Sequence, residues 1–290
     1  MSLDSTIGLI ATGTTVVVSG SFDNLRSRQV RFLQEAAGVA PAHVLLWSDD
    51  VVRDRSGALP HFSQEERIYL LRALRYVSSL TLVTELPSPD RLPDVPGLAP
   101  AYWAMPEEEW NAVRRVYCEE MGLACRVIPD SALSGFPALE LDLGQGTVWV
   151  APSSRKKVIV TGCYDWLHSG HIRFFEEASA LGDLYVAVGN DANVRELKGE
   201  GHPLQSQDER RYMVQSVRYV TQAVITKGMG WMDAAPNIDE IRPDIYVVNE
   251  DGDVPQKAAF CAAHGLEYVV LKRVPKEGLQ RRSSTELRGF

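Results

Sequence analysis

The stretch Thr161 to Phe175, TGCYDWLHSGHIRFF, places a strand end, a turn and two histidines next to one another. His168 and His171 stand three residues apart with Gly170 between them, which at a helix start sets both imidazoles on one side of the first turn. A helix N-terminus offers unpaired backbone N–H groups and the positive end of the dipole, so the chemistry it suits is the binding of an anion, phosphate above all. Histidine adds donors there that need no full charge. Gly170 leaves room for a ligand to approach the backbone, and Asp165, at the end of the strand, is expected to face a metal ion or a ligand hydroxyl. Two elements must position these groups. Val158, Ile159 and Val160 form a short β-branched run before them, and Ile172, Phe174, Phe175, Ala178 and Leu181 recur with helical spacing after them.

The same pattern occurs twice in the 290 residues. Residues 16–38 read like 158–182, 61–84 like 203–226, and 116–128 like 259–271, in the same order. Each copy is long enough to be a whole α/β domain, which predicts a first domain over 1–150 and a second over 151–290, joined near Gly144 to Lys157. Short β-branched runs alternate with amphipathic segments, so the fold class is α/β: two tandem Rossmann-like domains, each a parallel sheet flanked by helices. In the second copy strands are expected near 157–161, 184–189, 222–226, 244–249 and 267–272. Ser63 with Glu66 and Ser206 with Glu209 have capping-box spacing and mark helix starts, and Gly122 and Gly265 end helices. Ligands of such sheets gather at the carboxyl ends of the strands, where the histidines fall.

The two copies also serve as a control on each other. The positions of His168, Gly170 and His171 are held in the first copy by Arg26, Arg28 and Gln29. The first copy has lost the pattern and is expected to be a scaffold, with an anion site on Arg26 and Arg28 as the alternative. Arg67 and Arg210, like Arg75 and Arg218, are shared, so they serve structure as readily as ligand. Lys198, on a glycine-rich loop, belongs to the second copy alone. So does the run Arg281, Arg282, Ser283, Ser284, Thr285, Glu286, a basic pair followed by another Ser-x-x-Glu helix start that reads as a second anion site.

These residues resemble the cytidylyltransferase-like nucleotidyltransferases, whose mark is GxFDxxHxGH. Here it stands as Gly162, Cys163, Tyr164, Asp165, His168, Gly170 and His171, with Tyr for Phe. The resemblance continues through LGDLYVAVGNDANVRELKGEGHP, SQDERRYMVQSVRYV and RSSTELR, over residues 156 to 290. It implies catalytic roles for His168, His171 and Lys198, the lysine facing the α-phosphate. It implies nucleotide binding by Gly162, Cys163, Tyr164, Asp165, Gly170, Arg281, Arg282, Ser283, Ser284 and Thr285, and Mg²⁺ carried with the triphosphate. No residue is expected to hold a metal by itself. The stretched spacing of KRVPKEGLQRRSST against the family's RTxGIST leaves open which of Arg273, Arg281 and Arg282 serves. Trp231 and Arg273 are candidates for the acceptor side, and VVNEDGDVP departs from the Gly-Asp-Asp-Trp segment of the glycerol-phosphate enzymes. The implied activity is transfer of a nucleoside monophosphate, from CTP by preference or from ATP, to a phosphorylated small molecule with release of pyrophosphate. The tandem layout resembles phospho-alcohol cytidylyltransferases, and NDANVRELKGEGHP the adenylyltransferases that make ADP-heptose. A nucleotide sensor or scaffold without turnover is the non-enzyme alternative. Related enzymes commonly dimerise.

Composition bounds the partners. A net charge of −8 and a pI near 5.3 argue against an extended nucleic-acid surface. No apolar run reaches membrane-spanning length and MSLDSTIGLIATG lacks a signal-peptide pattern, which predicts a cytoplasmic protein. Cys118, Cys125, Cys163 and Cys261 are then expected to stay reduced, with Cys118 and Cys261 as small buried apolar residues at matching helix positions.

Overall fold

Runs such as Val16–Val18 and Val158–Val160, β-branched and apolar at every position, cannot be half-exposed strands and must lie in a sheet covered on both faces. The computed structural model, which describes residues 14–137, 153–284 and 287, places both runs in the middle strand of a parallel sheet, fully buried. The chain divides into two compact units, Met1–Ser134 and Gly135–Phe290. The expected boundary at 150/151 and most of the expected junction fall outside the described residues.

The first unit runs β1 (Val16–Gly20), α1 (Ser27–Ala37), β2 (Ala42–Trp47), α2 (Asp49–Ser56), α3 (Gln64–Ala73), β3 (Val77–Val83), β4 (Tyr102–Pro106), α4 (Ala112–Met121) and β5 (Ala124–Ile128). The second runs β6 (Lys157–Gly162), α5 (Ser169–Leu181), β7 (Asp183–Val188), α6 (Asp191–Lys198), α7 (Gln207–Gln215), β8 (Val220–Ile225), α8 (Ala235–Ile241), β9 (Ile245–Asn249), α9 (Pro255–His264) and β10 (Glu267–Leu271). The sheet orders are β3-β2-β1-β4-β5 and β8-β7-β6-β9-β10, every pairing parallel. Both are therefore Rossmann-like, and each reverses direction between its first and fourth strands, which opens a crevice at their carboxyl ends.

The expected local signals act as read. Ser63 and Ser206 cap α3 and α7 by accepting from the N–H of Glu66 and Glu209. Gly122 and Gly265 close α4 and α9 in the left-handed region at φ 65° and 68°, where a Cβ would be strained.

One expectation is corrected. Cys118 is buried among Trp103, Met105 and Tyr117 as expected, but it forms a disulfide with Cys125. The turn through Gly122 folds β5 back along α4 and brings the two sulfurs together, a tertiary consequence that a spacing of seven did not announce. Cys163 and Cys261 are free thiols.

Candidate active site

The site grows from the end of β6. Tyr164 adopts φ +54°, and its ring folds back over Gly162, where a Cβ would stand 2.7 Å from the phenol carbon. Glycine is required there. The buried Tyr164 ring then meets His171 edge-on at 5.2 Å and packs against Phe175, which fixes the imidazole from below.

His168 is the N-cap of α5. Its Nδ1 accepts the backbone N–H of Gly170 at 3.1 Å, so in the neutral ring the proton sits on Nε2. His168 is 1% exposed, and burial, followed by the charges of Arg273 and Arg282, lowers its pKa to about 3. Its ring stacks on that of His171 with centroids 3.9 Å apart. Burial, then His168, Arg273 and Lys198, holds His171 well below the usual imidazole range. Both imidazoles are neutral at pH 7. Their buried His168 Nε2 and His171 Nδ1 atoms have no hydrogen-bond partner, so a ligand that enters finds two unspent polar atoms.

These side chains line a cleft of about 170 Å³ at the β6/β9 crevice, together with Thr161, Gly162, Cys163, Tyr164, Gly170, Lys198, Asn249, Lys257, Arg273 and Ser284. Lys198 is the exposed last residue of α6, followed by Gly199 and Gly201 at φ +86° and +81°. The segment after β10 lies over the start of α5. Its carbonyl at Arg282 accepts from Arg273 at 2.9 Å, and Lys276 pairs with Glu176 of α5 at 2.9 Å. Arg281 and Arg282 line a small adjoining hollow with Ser169, Gly170 and Arg173. Ser283 is half-buried beside them. Thr285 and Glu286 of the expected final helix start lie outside the described residues. The charge that burial denies to the histidines is thus supplied by arginine and lysine around them. Burial pushes the Cys163 thiol up, against the pull of Lys198 and Arg210.

Three sequence-based expectations are revised by this geometry. Asp165 does not face the cleft. It is 3% exposed and accepts from the N–H groups of Leu204 and Gln205 at 2.8–2.9 Å, and Asp23 in the first unit accepts from those of His61 and Phe62 in the same way. The carboxylate ties the loop before the third helix of each unit to the strand–helix turn. Replacing it leaves two loop N–H groups without their charged acceptor. Asp165→Ala is therefore expected to cost about 3 kcal/mol and to lower the thermal unfolding of the second unit by roughly 6–12 °C. Asp23→Ala should act equally on the first, as calorimetric scans of both variants would show.

Trp231 is neither core nor cleft. It is 63% exposed on a short turn after β8, where Gly230 bonds to Asn193 of α6. Arg28, weighed as an anion ligand, is already paired with Glu108 and Asp130 at 3.0 and 2.7 Å. It lines a cleft of about 210 Å³ at the corresponding place in the first unit. The arginine that replaces glycine thus meets carboxylates of its own chain. The shared Arg67 and Arg210 are fully buried braces. Each donates to a carbonyl of the strand–helix turn, Ser21 or Cys163, and to an aspartate, Asp49 or Asp191. Lys257 is the cleft cation that the sequence reading missed. The signal was its place at the start of the helix after the fourth strand, beside the crevice where such sheets bind ligands.

The cytidylyltransferase-like family model matches residues 159–288. FAD synthase of Aciduliprofundum boonei is 35% identical over 119 residues, 40% of this chain and 76% of that protein. The chain belongs to the cytidylyltransferase-like family. Bifunctional protein HldE of Campylobacter concisus is 38% identical over 105 residues, 35% of this chain and 21% of that protein. HldE of Azotobacter vinelandii is 36% identical over 135 residues, 45% and 26%. The chain thus spans about a quarter or less of these two HldE proteins. Among solved structures, the lipopolysaccharide core biosynthesis protein from Thermoplasma volcanium aligns with 98% of its length to 42% of this chain, at 22% identity and a TM-score of 0.36. The family match falls within the second unit, the one that carries the two histidines. Among the described residues, no helix is long and apolar enough to cross a membrane.

Proposed function

We propose that the second unit is an adenylyltransferase, moving AMP from ATP to a phosphate oxygen of a small phosphorylated acceptor and releasing pyrophosphate. The observation that carries this is the pair of stacked, neutral histidines with unspent polar atoms at the start of α5, framed by Lys198, Arg273 and Arg282. In-line attack on the α-phosphorus needs no covalent enzyme intermediate. It needs the phosphates held still and the charge spread on their oxygens met by fixed donors. His168 Nε2–H is such a donor, set in a buried place at the positive end of the α5 dipole, where it acts strongly. Lys198, on its glycine-flanked loop, is the mobile charge that follows the developing negative charge. Arg281, Arg282 and the Ser283–Ser284 pair serve the departing pyrophosphate, and Arg273, itself paired with Asp251, holds that segment through the Arg282 carbonyl. Gly162, Cys163, Tyr164 and Gly170 shape the wall against which the nucleotide lies, and Asp165 holds that wall in place.

Mg²⁺ comes with the triphosphate. No group of three His, Cys, Asp or Glu among the described residues is placed to hold a metal, so phosphate oxygens would supply most of its ligands and its charge would add to that of the lysine and arginines. ATP is put before CTP because a relative of which this chain covers 76% is named for FAD, a product with an adenylyl group on a phosphate. CTP with a phospho-alcohol acceptor is the second reading, supported by the tandem layout. The test is calorimetric titration of ATP and CTP, each with Mg²⁺, into the full chain. Pyrophosphate release is then measured with FMN, sugar phosphates and phospho-alcohols as acceptors. Preferential binding of ATP with release on one acceptor is the expected result. Binding without release on any acceptor would favour a nucleotide sensor.

A further inference from the structure

Lys257 is the buried cation of the cleft to which nucleotidyl transfer assigns no task. It lies in the first turn of α9 and is 8% exposed, yet it reaches the cleft wall beside Asn249, Asp251 and Gly252. Its Nζ donates to the carbonyl of Gly252 at 3.1 Å. An ammonium has three donors, and among the described residues no other hydrogen bond and no carboxylate within ion-pair distance takes the remaining two. Burial lowers its pKa, while Asp233, Asp251 and Asp253 act in the opposite direction. A desolvated cation with unspent donors is costly to keep unless something completes its shell.

The position says which part of a nucleotide that would be. Phosphate already has its own set at the start of α5, with Lys198 on the β7 side. Lys257 faces it from the β9 side, and the carboxylates of Asp233 and Asp253 around the lysine would repel a phosphate, Asp251 being neutralised by Arg273. What remains is an uncharged oxygen. Resting on the nucleotidyl-transfer reading, we propose that Lys257 is a specificity-determining residue that donates to a ribose hydroxyl of the bound nucleotide.

The test compares ATP, 2′,3′-dideoxy-ATP and inorganic tripolyphosphate by calorimetry on the full chain and on Lys257→Met, which keeps the apolar stem. The native protein is expected to bind ATP about tenfold or more tighter than the dideoxy form, the usual worth of a hydrogen bond to a charged group. In the variant that gap should close, with tripolyphosphate affinity within about twofold of native. Lys257→Gln, which keeps a polar tip, is carried in parallel and should retain part of the gap even if the methionine variant does not fold. A gap that persists undiminished in either variant, no gap in the native protein, or an equal loss of tripolyphosphate binding overturns the role of Lys257 and leaves the functional reading standing. A native protein that binds no nucleoside triphosphate overturns both.

Discussion

His168→Ala is expected to lower kcat/KM for pyrophosphate release by on the order of 10²-fold or more while leaving the second unit folded, because it removes a positioned donor from the place where charge develops. The structural cost is the helix cap, about 1 kcal/mol, together with the stacking on His171. His168→Asn separates the two contributions. Asparagine is a strong N-cap and should restore stability, but its side chain ends short of the place where Nε2 stands, so turnover should stay low. Native-like turnover in the asparagine variant would reduce His168 to a cap and remove the main support for the proposed chemistry.

The protonation of His168 adds a second signature. The unfolded chain takes up a proton near the ordinary imidazole pKa of 6.5, whereas folded His168 resists protonation until about pH 3. Between these values the unfolded state binds more protons. Stability therefore falls as pH drops below 6.5, by about 1.4 kcal/mol per pH unit from this residue, with His171 acting in the same direction. Denaturant titrations at pH 7 and pH 5 should show the decline in the native protein and a shallower one in His168→Asn.

Gly170→Arg, the exchange that the first copy carries, is expected to abolish ATP binding with the fold retained. A Cβ at this position would already stand 2.9 Å from His168 Cε1 and 3.0 Å from its Nδ1, with the Arg282 carbonyl 3.6 Å away. The imidazole must move before any longer side chain is placed. An arginine would then stand at the place that Arg28 holds on α1, with Glu250 and Asp251, which already accept from Arg273, in the place of the acidic turn that meets Arg28 after β4. The phosphate position would be closed by the chain's own charges, and a loss of at least about 100-fold in ATP affinity follows from removing the anion site. The first unit shows that this fold accepts arginine at the position. Calorimetry of ATP with Mg²⁺ is the check, with Gly170→Ala as the graded case in which only the imidazole is displaced. Undiminished ATP binding by Gly170→Arg would mean that the phosphates lie elsewhere in the cleft.

Several parts of this protein were determined by the sequence alone because their causes are local. Val158–Val160 must be a doubly covered strand, Ser206 must open a helix, Gly265 must end one, and a histidine pair around a glycine at a helix start must gather polar groups at one point. Each depends on neighbours within a few residues, and repetition of the same order in both halves made the α/β architecture legible twice. What the tertiary structure decided depends on partners far along the chain. Asp165 is drawn to the N–H groups of Leu204 and Gln205 across 39 and 40 residues, Arg28 to Asp130 across 102, and Trp231 is carried outward by a turn anchored on Asn193. An unpaired carboxylate, guanidinium or ammonium takes the best partner that folding brings within reach, and sequence spacing does not encode that choice. Lys257 shows the same thing from the other side: its type and position were visible from the start, but only burial at the crevice with two donors unspent made it a candidate for binding.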